Sequence, residues 1–321
     1  MVSALFATPL SLGGCVLPFV AVIDGCPSDQ IVDGDNTWHT LAILQAGSWK
    51  DLSEFIAEIK AFLSDHRLQL RKWGGDARNK KHKDRNAKFR EGFLAAIRAK
   101  LPESRVALFT VSCQEKIMVA AEKTLCGELG LEHFLVMGDR PSICIGGYTR
   151  HFHKGNEVVT LPPFEKVSLD GRTEVISNPL TVPWKNALIW LWMSHVLWSL
   201  YKAVEAKHRQ KPAWKVHFDR LANDSVAGNY PGLGFINLLL QATTTVELTS
   251  SYDEAGATAA DVSTPDLVVD CIAGWVNASV ISGKTTRELE ESLGEACRSH
   301  LGLQVVSDES DIVAMRSNFA S

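Results

Sequence analysis

Val20–Asp29, VAVIDGCPSD, is the stretch on which the fold turns. The apolar run from Leu17 to Ile23 has the length and branched residues of a strand, and it ends on Asp24 followed by Gly25. An acid before glycine is a common way to start a turn. It is also where a carboxylate would stand if it were held at the edge of a sheet. The segments around it bear on which reading holds.

After the first run comes DGCPSDQIVDGDNT, rich in turn formers, and then a second apolar run, Trp38 to Gln45. Leu52, Phe55, Ile56, Ile59, Phe62 and Leu63 share one helical stripe, with Ser48 and Asp51 as an N-terminal box. A second amphipathic helix is marked by Phe89, Phe93, Leu94 and Ile97. SRVALFTVSC reads as a strand, and Glu115 to Leu129 as a helix. Glu132 to Leu161 reads as short strands and turns (FLVM, SICIGGY, EVVTL), and Pro162 to Pro183 as a connecting loop. A long apolar helix starts near Pro183. PAWKVHFDR and TTTVELTS are strand candidates. A helix follows Thr264 with Pro265 at its first position, and a last helix carries the capping box Thr285 and Glu288. Strands first, then mixed helices and strands, indicate an α/β or α+β domain.

The 321 residues, 45% of them apolar, suffice for one large domain, residues 1–321. A net charge of -4 gives no global sign of a nucleic-acid or membrane binder. Seven scattered cysteines with no CxxC pair read as reduced, buried thiols in a cytoplasmic protein and argue against structural zinc. The apolar N-terminus lacks a basic region and is broken by Pro9, Gly13, Gly14 and Pro18, unlike a signal peptide. Asn186 to Val204 is interrupted by His195 and reads as a buried helix rather than a membrane span.

Three acids stand out by setting. Asp24 ends the first strand, Asp219 ends a late one, and Asp270 lies inside the apolar helix DLVVDCIAGW. An inward acid in such a helix is costly without a partner. Asp266 lies four residues earlier on the same face, as does Gly274 four residues later. Each acid alone has a plain reading: Asp24 as a turn start, Asp219 in an ion pair with a neighbour such as Arg220. Together they have the composition of an oxygen cage for Mg²⁺ or Mn²⁺. Two such ions, roughly 4 Å apart, support phosphodiester cleavage by an activated water.

The order of these acids resembles that of the ribonuclease H-like fold, a mixed sheet whose first strand carries an Asp and whose late helix supplies another acid. More narrowly, the chain resembles the family "domain of unknown function 3800", whose members are predicted RNase H-like nucleases. The stretches that carry the likeness are VIDGCP, LQLRKW, VHFDR and LVVDCIAGWV, spanning about Phe19 to Ala278. The resemblance implies an RNase H-like mixed sheet flanked by helices, with insertions. It implies catalytic and metal-binding roles for Asp24, Asp219 and Asp270, with Asp266 as a further ligand. The chain departs from the family at Gly25-Cys26-Pro27, where members carry Glu-Ser-Gly, at Leu267, where they tend to have Gln, and at Gln69, where they carry an acid. A relative that keeps the fold but only binds nucleic acid or protein is the alternative.

Arg67 to Arg90 holds ten Lys or Arg among 24 residues, against Asp76 and Asp84. Beside a carboxylate site, Arg71, Lys72, Lys80, Lys81 and Lys83 would attract a phosphate backbone, and Trp73 would stack on a base. The plain reading is a solvated loop and helix face. His151 and His153 read as a loop or surface pair, and His217 as core or as a proton-transfer aid near Asp219. Gly228, Gly232 and Gly234 lack the Lys-Ser/Thr of a P-loop, and they are the one weak sign of the sugar-kinase group, which shares the opening Asp-Gly turn. The tryptophans of the long helix fall on several sides and read as core. Residues 279–321 read as a C-terminal helical extension. DNA and RNA are not distinguished, and a protein partner or a homo-oligomer is compatible with the sequence.

Overall fold

The structure is a computed structural model describing residues 18–27, 37–73, 80–128, 149–153, 156–161, 164–167, 173–176, 180–208, 213–218, 246–250 and 264–320. The first half of the chain gives β1 (Pro18–Pro27), β2 (Trp38–Ala46), α1 (Trp49–Asp65), α2 (Lys80–Lys100), β3 (Val106–Gln114), α3 (Glu115–Ala120) and α4 (Glu122–Glu128). Short strands follow: β4 (Thr149–His153), β5 (Asn156–Leu161), β6 (Phe164–Val167), β7 (Thr173–Ile176) and β8 (Leu180–Pro183). Then come α5 (Trp184–His208), β9 (Ala213–Phe218), β10 (Val246–Ser250), α6 (Thr264–Ile281), α7 (Thr286–Leu293), β11 (Leu301–Val306) and α8 (Glu309–Ala320).

Six strands form one mixed sheet in the order β10-β9-β1-β2-β3-β11. β1, β2 and β3 are an antiparallel meander, with Asp24 opposite Ala42 and Ala42 opposite Thr110. β9 runs parallel to β1, β10 parallel to β9, and β11 parallel to β3. The period-2 alternation of the strands divides the core in two. Phe19, Ala21, Ile23, Leu41, Ile43 and Phe109 are buried with α5 on one face. Ala42, Leu44 and Leu108 are buried with α1, α2 and α6 on the other. The chain is therefore mixed α/β with helices on both faces of the sheet.

The helices begin where their caps predict. Ser48 accepts from the Asp51 N–H at the head of α1. Thr285 and Glu288 form the capping box of α7. Gly274 in α6 carries the Trp73 ring directly against its backbone, and Asn277 in the same helix is buried. The Thr40 hydroxyl donates to Asn277 Oδ1 at 3.1 Å and lies 2.8 Å from the Ser112 hydroxyl, which fixes α6 in register over β2 and β3. Asn277→Ala should lower stability by about 1–3 kcal/mol, because it strips a partner from a buried hydroxyl. Urea unfolding checks this.

α5 is buried nearly all round, and Trp184, Trp190, Trp192 and Trp198 are core residues, as expected from their spread. His195 is 1% exposed, and its Nδ1 has no hydrogen-bond partner among the described residues. Burial pushes its pKa down from 6.5 to about 4. The unfolded chain thus takes up this proton at higher pH than the folded one. Stability is fully present above pH 6.5 and is lost as pH falls towards 4. Moving from pH 7 to pH 5 should remove about 2 kcal/mol from the wild type, and less from His195→Leu, in parallel urea titrations. No helix among the described residues is long and apolar enough to cross a membrane.

Four expectations need correction. The expected loop from Pro162 to Pro183 holds the β6–β7 hairpin and β8, which pairs with β5. The expected helix Glu115–Leu129 is two helices that break at Ala121, while Leu129 lies outside the described residues. Residues 279–321 are not purely helical: β11 returns to the sheet beside β3, with Gly302 under the Phe109 ring. A glycine inside a six-residue strand weakens its signal, and here the close ring explains it. The pair His151 and His153 belongs to β4 rather than a loop. FLVM, SICIGGY, Asp76 and Gly228–Gly234 lie outside the described residues.

Candidate metal centre

Five of the six strands run in one direction and end at one edge of the sheet, at Pro27, Gln114, Phe218, Ser250 and Val306. This carboxyl edge is where mixed α/β sheets commonly place their chemistry. Asp24 lies on β1 near that end. Ile23 is in register with Phe218, and neighbouring strands are about 4.8 Å apart. Asp219 is the residue after Phe218, and it lies outside the described residues. For Asp24 and Asp266 the backbone alone is described, in β1 and the first turn of α6. His217 is in β9 opposite Val22, likewise by backbone alone.

Asp270 is described in full. α6 is apolar because it packs across β1 and β2, burying Val268, Val269, Ile272 and Val276. Asp270 interrupts that run and is half-buried. The Trp73 N–H donates to its Oδ2 at 3.1 Å, while Oδ1 has no hydrogen-bond partner among the described residues. Burial raises its pKa above the ordinary carboxylate value, opposed by the Trp73 N–H and by the charge of Lys72. A half-buried carboxylate with one oxygen held and the other unpartnered among the described residues can serve as one ligand of a hard divalent cation such as the Mg²⁺ or Mn²⁺ that the sequence suggests. Among the described residues no three His, Cys, Asp or Glu side chains converge as a cage.

The segment that reaches Asp270 is the start of the basic stretch. Trp73 is 8% exposed, and its ring is covered by Gly274, by the edge contact of Phe93, and by Arg90, whose guanidinium lies 5.0 Å from the ring centroid. Trp73 is therefore a core residue, and the expected stacking on a base is corrected: no ring face is open. Arg90 also donates to the Trp73 carbonyl at 3.1 Å. Arg71 is half-buried over the Phe89 ring at 4.9 Å and donates to the Arg85 carbonyl, so its role is to anchor the segment. The Cys271 thiol donates to the Arg71 carbonyl at 3.0 Å. Lys72 and Gln69 are exposed. Lys80, Lys81 and Lys83 open α2, described by backbone alone.

A second ionisable cluster escaped the sequence reading. Glu115, at the head of α3, pairs with Lys185 in the first turn of α5, and its Oε2 lies 3.6 Å from His39 Nε2. His39 is opposite Pro27 at the carboxyl edge. The contact with His39 lowers the Glu115 pKa, burial opposes this, and Lys185 lowers it further. His39 and Glu115 are both under one-tenth exposed, so the cluster ties β2, α3 and α5 together. The break in apolar alternation at His39 was a signal. Lys185 gave none, because it is distant in sequence. Comparison with protein-family profiles, with curated proteins and with solved structures finds no match to this chain.

Proposed function

We propose that the chain is an RNase H-like, metal-dependent nuclease that hydrolyses nucleic-acid phosphodiesters. The observation that carries this reading is Asp270, a half-buried acid with one oxygen unpartnered among the described residues, on a helix packed across β1, the strand that carries Asp24. The central place of β1 between β2 and β9 supports the RNase H-like arrangement, and so does the register that sets Ile23, the residue before Asp24, opposite Phe218 at the end of β9. Asp24, Asp219 and Asp270 would hold Mg²⁺ or Mn²⁺, with Asp266 as a further ligand. When bound, the cation supplies charge neutralisation and an acidified water. The water oxygen bonds to phosphorus as the bond to the leaving oxygen breaks, and the leaving oxygen takes up a proton. Lys72 and the lysines that open α2 attract the phosphate backbone.

The test is cleavage of end-labelled DNA and RNA oligonucleotides with Mn²⁺ and with EDTA. Cleavage that needs Mn²⁺ and leaves the uncut substrate bound less tightly as salt rises is the expected result. A second reading rests on Gln69, a neutral exposed residue where the resemblance calls for an acid: the chain binds nucleic acid or protein without cutting. Salt-sensitive binding with no Mn²⁺ uptake at millimolar concentration would favour it.

A further inference from the structure

Three arginines gather where the segment ending at Trp73 meets α2. The Arg71 guanidinium lies over the Phe89 ring, 4.9 Å from its centroid, and donates to the Arg85 carbonyl. The Arg90 guanidinium lies 5.0 Å from the centroid of the Trp73 ring and donates to the Trp73 carbonyl at 3.1 Å. Each is held by a ring face and a peptide oxygen, with further N–H donors left over. Arg90 Nε is buried and has no hydrogen-bond partner among the described residues. Arg85 is exposed, about one helical turn before Phe89. Burial lowers the Arg71 pKa, the charge of Arg85 lowers it further, Cys271 opposes this, and Arg90 adds to the lowering. No carboxylate is among these influences, and none of the three arginines has an ion pair among the described residues. Asp84 and Glu91 adjoin Arg85 and Arg90 in the chain but are exposed. Like charges collected and fixed in this way repel one another unless an anion joins them.

We infer that Arg71, Arg85 and Arg90 form a phosphate-binding site whose ligand is a backbone phosphate of a nucleic-acid strand. Planar guanidiniums present paired N–H donors to phosphate oxygens, and those already held by a ring and a carbonyl lose little freedom on binding. The strand as ligand rests on the nucleic-acid part of the proposed function. The site needs neither a metal ion nor cleavage. Arg85 is the residue to vary, because Arg71 is anchored on its backbone carbonyl, which outlasts any change of side chain.

The experiment is fluorescence anisotropy of labelled single-stranded DNA and RNA oligonucleotides with the full chain in EDTA, for the wild type, Arg85→Ala, Arg85→Lys and Lys88→Ala. Lys88 is exposed on α2 and is not among the charges that act on Arg71, so it reports the loss of a general surface charge. Arg85→Ala should raise Kd about tenfold and reduce the salt slope by about one. Arg85→Lys should restore part of the affinity, and Lys88→Ala should change Kd by about twofold or less. Tm of Arg85→Ala should equal or exceed that of the wild type, because a repelling charge is gone. Unchanged Kd in Arg85→Ala, equal weakening in Lys88→Ala, or no binding by the wild type would overturn the inference. Lost binding with a Tm lower by several degrees would mark Arg85 as structural and overturn it too. So would displacement of the oligonucleotide by millimolar inorganic phosphate at constant ionic strength, which would make free phosphate the ligand. Binding weakened in Arg85→Ala alone, with no Mn²⁺-dependent cleavage by any form, would uphold the site and refute the nuclease reading.

Discussion

Asp270→Asn should reduce Mn²⁺-dependent cleavage by on the order of 10³-fold while leaving the fold intact and no less stable. The amide has the same shape and can still accept from the Trp73 N–H, so the clamp on Leu68–Trp73 persists. What disappears is the negative charge. In the cation-free protein that charge is a liability, because burial raises the Asp270 pKa above its value of 3.8 in an unfolded chain. The folded state therefore binds this proton more tightly, and its contribution to stability is lost as pH rises through that range. At pH 7 without metal, Tm of the variant should be equal to or higher than that of the wild type. Saturating Mn²⁺ should then raise Tm of the wild type and leave the variant unmoved. Asp24→Asn should show the same loss of cleavage. Full cleavage by both variants would refute the site.

Gly274→Ala should have the largest effect on stability. A Cβ at that position would lie 2.6 Å from the Trp73 ring carbons Cγ and Cδ1 and 2.7 Å from its Cβ. Alanine gains about 1 kcal/mol of helix propensity over glycine. The displaced ring, wedged between α6, Phe93 and Arg90, loses about 1–3 kcal/mol or more through overpacking. The Trp73 N–H that holds Asp270 moves with it. Tm should fall by several degrees, and cleavage should fall with Mn²⁺ affinity. A Tm at or above that of the wild type would show that the close packing of Trp73 on α6 is not as described.

Much of the framework was legible because its signals are local. The apolar runs of β1, β2, β3 and β9, the stripe of α1 and the caps of α1 and α7 each follow from a few adjacent residues. β11 was missed because Gly302 interrupts it and its pairing with β3 is long-range. The site divides in the same way. Asp270 was conspicuous because an acid in an apolar helix violates a local rule. The burial of Trp73 could not be read, since a tryptophan amid arginines and lysines looks exposed until Gly274 is seen to leave room for it. The latch of His39, Glu115 and Lys185 joins three elements far apart in sequence, and no spacing announces it.

The most direct measurement is anomalous diffraction from crystals soaked in Mn²⁺. One manganese peak in contact with Oδ1 of Asp270 and a carboxylate oxygen of Asp24 is the predicted result. Absence of a peak at Asp270 when Mn²⁺ is saturating, or a peak there with Asp24 out of contact, would contradict the carboxylate centre on which the proposed function stands.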